Sequence, residues 1–116
     1  LAIVETINHL ETRGSTDCTA RGASGESGCL QIMPGTWRMW STVVYGEVVE
    51  MTPVRERYVV TKIISSWVKE GLSNDRIFLR YNAGGATQCS SGTNSHGVDY
   101  NSCHYVETGM NYLAMI

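Results

Sequence analysis

One run of apolar residues sets most of what this chain can become. After Thr52-Pro53, the residues Val60, Ile63, Ile64, Trp67 and Val68 recur at three- and four-residue spacing. That spacing puts them on one face of an α-helix. Thr52 suits the N-cap, because its hydroxyl can accept an otherwise unpaired backbone N–H. Pro53 suits the first helical position, where its missing N–H costs nothing. Gly71 stands where a helix of this length would stop. A helix with such a face has to be covered by other segments, and the rest of the chain supplies them.

Those segments are helical too. Residues 1–13 read as an amphipathic helix stopped by Gly14. Another helix starts near Pro34 or Thr36 and carries Trp37, Met39 and Trp40, an aromatic cluster that suits the core or a sugar-stacking wall. A third runs from Ser73 or Asn74 to Ala83 with Ile77, Phe78, Leu79 and Tyr81, and stops at Gly84-Gly85. The last covers residues 104–116, where Val106, Met110, Leu113 and Ala114 keep helical spacing despite Gly109. Residues 41–50 are ambiguous, since Val43, Val44, Val48 and Val49 favour strand locally. Residues 84–104, rich in Gly, Ser and Asn, read as one long loop. The expected fold class is mainly α: one domain over residues 1–116 with long loops, no internal repeat and one modest core. The chain opens at Leu1 inside a helical pattern, which reads as a mature or trimmed chain.

Charge excludes some functions. The formal net charge is -2 and no block of Lys or Arg stands out, so nucleic acid and anionic membranes are not expected partners. No apolar run approaches the length of a membrane span. The four cysteines, Cys18, Cys29, Cys89 and Cys103, have no CxxC spacing and only three histidines for company. That argues against a metal site and for two disulfides in an oxidising compartment. Of the three pairings, Cys89–Cys103 is preferred, because both flank one Gly/Ser/Asn-rich loop; Cys18–Cys29 then remains.

Two segments carry chemistry. On a helical wheel advancing about 100° per residue, Val4, Ile7 and Leu10 cluster with Ile3, and Glu11 falls inside that apolar face. Glu5, His9 and Thr12 fall opposite. Glu11 is thus a carboxylate aimed at the core from the last turn of its helix. Burial and the negative helix end both favour its protonated form, as a general acid requires. A rim position paired with Arg13 or Arg21 is the plainer alternative. The second segment is Gly25-Glu26-Ser27-Gly28-Cys29-Leu30-Gln31-Ile32-Met33-Pro34-Gly35-Thr36-Trp37. Its glycines permit tight turns and close approach, and Gln31 can both donate and accept within an apolar run.

These pieces, in this order, resemble the catalytic domain of soluble lytic transglycosylases, lysozyme-like enzymes that cut bacterial peptidoglycan. Glu11-Thr12 stands where that family has its catalytic Glu-Ser. Gly25-x-x-Gly28-x-Leu30-Gln31-Ile32-Met33-Pro34-x-Thr36 is similar to its Gly-Leu-Met-Gln-x-Met-Pro-x-Thr signature. Arg80-Tyr81-Asn82-Ala83-Gly84 is similar to its Ala-Tyr-Asn-Ala-Gly, and Tyr105-Val106 with Tyr112 to its terminal Tyr-Val helix. Thr12 replaces the serine, Cys29-Leu30 replace Leu-Met, and Glu26 is an additional acid.

The resemblance implies a lysozyme-like fold, with Glu11 as general acid and then base on the β-1,4 link between N-acetylmuramic acid and N-acetylglucosamine. The product would carry a 1,6-anhydro end, and no cofactor is implied. Gln31, Met33, Tyr81 and Asn82 would contact the glycan, and Tyr105 would lie near Glu11. The setting would be the periplasm, the exterior or a phage particle, in the service of a secretion, conjugation or phage-entry machine. Two other readings remain open at this stage. One is a goose-type lysozyme-like hydrolase using Glu26 or Asp17 as a second carboxylate. The other is a silent peptidoglycan-binding module.

Overall fold

The helix that begins at Thr52-Pro53 is the piece on which the others pack. The structure, a computed structural model, describes residues 1–116. Its elements are α1 (Ala2–Thr12), α2 (Pro34–Tyr45), α3 (Pro53–Lys69), α4 (Asn74–Ala83), β1 (Ser91–Thr93), β2 (Asp99–Asn101) and α5 (Ser102–Met115). The fold is mainly α, with 55% of residues in five helices. In α3 the Thr52 hydroxyl accepts the Arg55 N–H, as the sequence leads one to expect. Past Glu70 the chain turns at Gly71 (φ 92°), where the Gly71 and Leu72 N–H groups donate back to Val68 and Trp67. This is a glycine stop that satisfies the orphaned carbonyls.

Helix α3 buries Val59, Val60, Ile63, Ile64 and Trp67. They meet Val4 and Ile7 of α1, Leu30 and Ile32 of the glycine-bounded loop, and Ile77 and Phe78 of α4 in one core. Helix α5 lies against α1 and α4. Gly109 makes that contact close: a Cβ there would stand 3.1 Å from three atoms of the buried Phe78 ring. The glycine that weakens α5 as an isolated helix is therefore what lets it pack.

The ambiguous stretch 41–50 resolves, and two expectations need correction. Val43 and Val44 complete α2, which ends at Gly46 with φ 80°. Irregular backbone follows to Thr52, held to α2 by the Trp37 indole N–H donating to Val49 C=O at 2.7 Å. The face of α1 opposite Ile3 is not uniformly wet. Glu5 is exposed and pairs with Arg57, but His9 stacks on Tyr112 of α5 with ring centroids 4.0 Å apart, and Thr12 turns inward.

Residues 84–104 are likewise not all loop. Strands β1 and β2 pair antiparallel with Ser91 opposite Asn101. Asn94 organises the tip, its Oδ1 accepting the N–H groups of His96 and Val98. The buried Ser102 ties the base by exchanging hydrogen bonds with Ser90. Three-residue strands give a weak periodic signal, and turn-forming side chains plus a cross-link hold this hairpin together.

All four cysteines are bridged, as Cys18–Cys29 and Cys89–Cys103. The second closes the hairpin from α4 to α5. In the loop-entropy picture a link of this span contributes about 3 kcal/mol. Replacing Cys89 and Cys103 together by serine is expected to lower the stability by about that amount in urea titrations. An unchanged midpoint would mean that the side-chain bonds alone hold the hairpin. Two disulfides fit an oxidising setting outside the cytoplasm, and no helix is long and apolar enough to cross a membrane.

Candidate active site

Glu11 occupies the last turn of α1, where the helix ends with Arg13 in the left-handed region (φ 56°). Beneath it are the apolar residues of its own face. Above it opens a cavity of about 150 Å³ lined by Glu11, Glu26, Gln31, Met33, Trp40 and Tyr81, with Asn82, Thr36 and Ile32 at its edges. Five residues singled out by sequence for contact with a glycan or as a second acid thus share a cavity with the candidate acid: Glu26, Gln31, Met33, Tyr81 and Asn82. Glu11 forms no ion pair with Arg13 or Arg21; the two salt bridges of the chain are Arg57–Glu5 and Arg80–Glu70.

The electrostatics of Glu11 follow from this placement. Burial pushes its carboxyl up from the ordinary 4.5 to about 7; the Tyr105 hydroxyl opposes the rise, and the Glu26 carboxylate adds to it. Burial removes water that would solvate the charge, and a neighbouring negative charge disfavours ionisation further. Near neutral pH this carboxyl therefore exists in both forms, which suits a group that has to give a proton and take one back.

Tyr105 lies close to the carboxyl. Its hydroxyl is buried and has no partner in good hydrogen-bond geometry, yet it lies close enough to Glu11 to favour the carboxylate. We regard it as a donor held near Glu11, without a formed bond. Burial and then the Glu11 charge hold the phenol well above its ordinary 10, so it stays protonated and able to donate. Tyr105 is not among the residues that line the cavity; it lies beside Glu11, where the sequence places it.

The glycine-bounded loop holds its shape through its own backbone. Ser27 and Ile32 exchange N–H···O=C bonds, and Gln31 adopts φ 51°. The Gln31 amide nitrogen donates to Gly28 C=O at 2.7 Å and Ala20 C=O at 3.2 Å. Two carbonyl partners fix which end of the amide is nitrogen. The Gln31 oxygen takes no donor from the protein and is left to receive one from a ligand. Tyr81 is also committed, its hydroxyl donating to Leu30 C=O at 2.6 Å. Its ring stands 5.9 Å from Trp40, which lies edge-on to Trp67 at the same distance. Trp40 is therefore a wall of the cavity, whereas Trp37 is core. Met33 and Asn82 are exposed at the rim.

Two carboxylates change standing. Asp17 does not line the cavity; it is exposed and accepts from the Thr19 N–H, the Thr19 hydroxyl and the Ser15 hydroxyl. Those bonds hold it below its ordinary value and make it a turn-former. Glu56 of α3, which the sequence reading did not single out, is 1% exposed. Its two oxygens accept the Cys29 and Leu30 N–H groups at 3.0 and 3.1 Å. Its carboxyl is raised by burial, against the pull of those two N–H groups and Arg57.

Gly28 is the complement to Glu56. It has φ 91°, and a Cβ there would come within 2.1 Å of a Glu56 oxygen. The glycines of this segment permit close approach by a ligand or another part of the chain; at Gly28 what approaches is Glu56. The Cys29 and Leu30 carbonyls face the other way, accepting from Thr12 at 2.7 Å and from Tyr81. Glu56 thus holds the two residues, Cys29 and Leu30, whose carbonyls tie the loop to the Glu11 helix and to the Tyr81 helix. Comparison with protein-family models, curated proteins and solved structures finds no match for this chain.

Proposed function

We propose that this chain cleaves the β-1,4 link between N-acetylmuramic acid and N-acetylglucosamine in peptidoglycan, as a lytic transglycosylase with a lysozyme-like arrangement of its helices. The observation that carries the reading is Glu11: a carboxyl held protonated up to about pH 7, inside a cavity that also holds Gln31, Met33, Tyr81 and Asn82. A lone structural carboxylate has no need of that company.

The chemistry needs one such group. Glu11 gives its proton to the glycosidic oxygen as the bond to the muramic C1 breaks, and the N-acetylglucosamine side leaves with a hydroxyl. The resulting Glu11 carboxylate, supported by Tyr105, takes the proton of the muramic C6 hydroxyl as that oxygen closes on C1. One C–O bond breaks, another forms, the proton returns to Glu11, and no water is consumed. The Gln31 oxygen is free to accept from an acetamido N–H or a sugar hydroxyl, and Trp40 offers an aromatic wall.

A hydrolase reading has one observation in its favour: Glu26 lines the same cavity. A second carboxylate is what direct displacement or water activation would use. Its Oε1 already accepts the Ser24 N–H at 3.1 Å, which makes it a fixed wall in our reading.

Mass spectrometry of fragments released from purified peptidoglycan separates the two. Anhydromuramic ends are expected, and reducing ends would replace our reading with hydrolysis through Glu26. A second expectation follows from the acid's protonation: the cleavage rate falls as the pH rises through about 7, because the proton donor is lost. A rate that keeps climbing to pH 9 would remove Glu11 from that role.

A further inference from the structure

The cavity above Glu11 does not end at Asn82. A second, larger cavity of about 650 Å³ adjoins it and shares three of its lining residues, Glu26, Met33 and Asn82. Its far wall is the β1–β2 hairpin, which contributes Asn94, Asp99 and Tyr100. The hairpin is held in place at both ends. The Cys89–Cys103 bridge fixes the base, and the Asn94 amide donates to the Ser24 hydroxyl at 2.7 Å, tying the tip to the glycine-bounded loop. The wall is thus fastened across the opening from α4 to that loop, and a space of this size is ready before any ligand arrives.

The walls carry more negative than positive chemistry. Asp99 and Glu26 bring two carboxylates, Asn82 and Asn94 bring amides, His96 brings one imidazole, and no lysine or arginine lines the space. Each carboxylate spends one oxygen on the protein, Asp99 on the Thr93 hydroxyl and Glu26 on the Ser24 N–H. The other oxygen of each has no donor from the chain. A ligand bringing only hydroxyls would leave those charges unanswered, and a ligand carboxylate would be repelled. A primary ammonium, with three donors and one positive charge, answers both carboxylates.

We propose that the hairpin cavity binds an amine-bearing peptide branch of the glycan. The diamino-acid side chain would reach Asp99 and Glu26, while the sugar that carries the branch occupies the Glu11 cavity. The inference rests on the peptidoglycan reading and extends it from the sugar to the peptide. It assigns the hairpin a task that the cleavage chemistry does not need, namely choosing strands whose peptides carry a free amine.

The test uses the intact chain and a reduced disaccharide-tetrapeptide, offered with its side-chain amine free or acetylated. Titration calorimetry is expected to show about tenfold weaker binding after acetylation, the scale of one charge-assisted hydrogen bond in a partly wet site. Asp99→Asn keeps the oxygen that Thr93 donates to, so it should fold. It is expected to bind the free-amine ligand about tenfold more weakly and to lose the distinction between the two ligands.

Cleavage of peptide-free glycan strands is read alongside, and Asp99→Asn should leave it unchanged. Equal binding of both ligands by the wild type would overturn the proposal. So would an Asp99→Asn defect on peptide-free strands, which would make this cavity a sugar site. Amine-dependent binding without cleavage of any strand would support the proposal while refuting the cleavage reading.

Discussion

Glu11→Gln is expected to abolish cleavage and, at neutral pH and above, to stabilise the protein. A positioned general acid–base group contributes about 10²–10⁴-fold in rate, and in the proposed reaction one carboxyl carries both proton transfers. The stability effect has the opposite sign because Glu11 is held in a place that suits its neutral form. Its folded-state value, about 7, lies above its ordinary 4.5. Below about pH 4.5 the carboxyl is protonated both folded and unfolded, and the variant gains nothing. Between those limits the unfolded chain releases the proton while the folded chain retains it.

The wild type therefore loses stability relative to the variant as pH rises through that window, and the difference levels off above about 7. The accumulated difference is about 3 kcal/mol. Glu56 is raised too, but it is present in both proteins and drops out of the comparison. Urea titrations of the two at pH 4, 6 and 8 should give curves that coincide at the first and separate progressively at the others. A gap independent of pH would mean that glutamine simply packs better. A gap of the opposite sign would mean that Glu11 is stabilised as a carboxylate, which would undo the argument for a proton donor.

How far the sequence reached can be judged from α1 and α3. The wheel that placed Glu11 on the apolar face of α1 works because Ile3, Val4, Ile7 and Leu10 define the face without ambiguity. The same construction finds Glu56. It precedes Val59 and Val60 by three and four residues, and therefore lies on the face that α3 buries. Starting that face at Val60, one turn later, leaves Glu56 looking like an ordinary first-turn acid. The signal was present and needed the apolar face extended back to the cap.

Other features had no comparable signal. Asn8 is buried, with its amide nitrogen directed at the Thr12 hydroxyl and the Ser15 and Cys29 carbonyls, and its oxygen accepting from Arg57. Nothing in helical spacing marks a polar residue whose partners are loop carbonyls and a side chain on another helix. Such partners are fixed by how the segments meet. The hairpin is similar: Asn94 and Ser102 decide it by particular bonds, and strands of three exposed residues carry no alternation to read. Cysteine pairing was legible because the bridged residues border the loops they close.

The largest expected loss of stability comes from Glu56. Two buried N–H groups, those of Cys29 and Leu30, depend on its oxygens. Glu56→Ala leaves both without an acceptor and opens a void beside Gly28. An unsatisfied buried donor costs about 1–3 kcal/mol, so the variant should be destabilised by about 3–5 kcal/mol. Glu56→Gln tests the geometry more sharply, because it changes little in volume. Each carboxylate oxygen serves a different N–H, so an amide would turn its nitrogen toward one of them. Glutamine should therefore recover about half of the loss at most.

Activity should fall with stability in both variants, even under conditions where they remain folded. The Cys29–Leu30 peptide unit also presents its carbonyl to Thr12, next to Glu11, and the Leu30 carbonyl, one unit further on, accepts from Tyr81, so slack at Glu56 reaches both walls of the cavity. Denaturation midpoints and kcat at low temperature would be measured together. Full rescue by glutamine would show that one acceptor suffices. Loss of stability with normal kcat would make Glu56 a brace for the core alone. Reduced kcat in a folded Glu56→Gln protein would tie the buried carboxyl of α3 to the working geometry of Glu11.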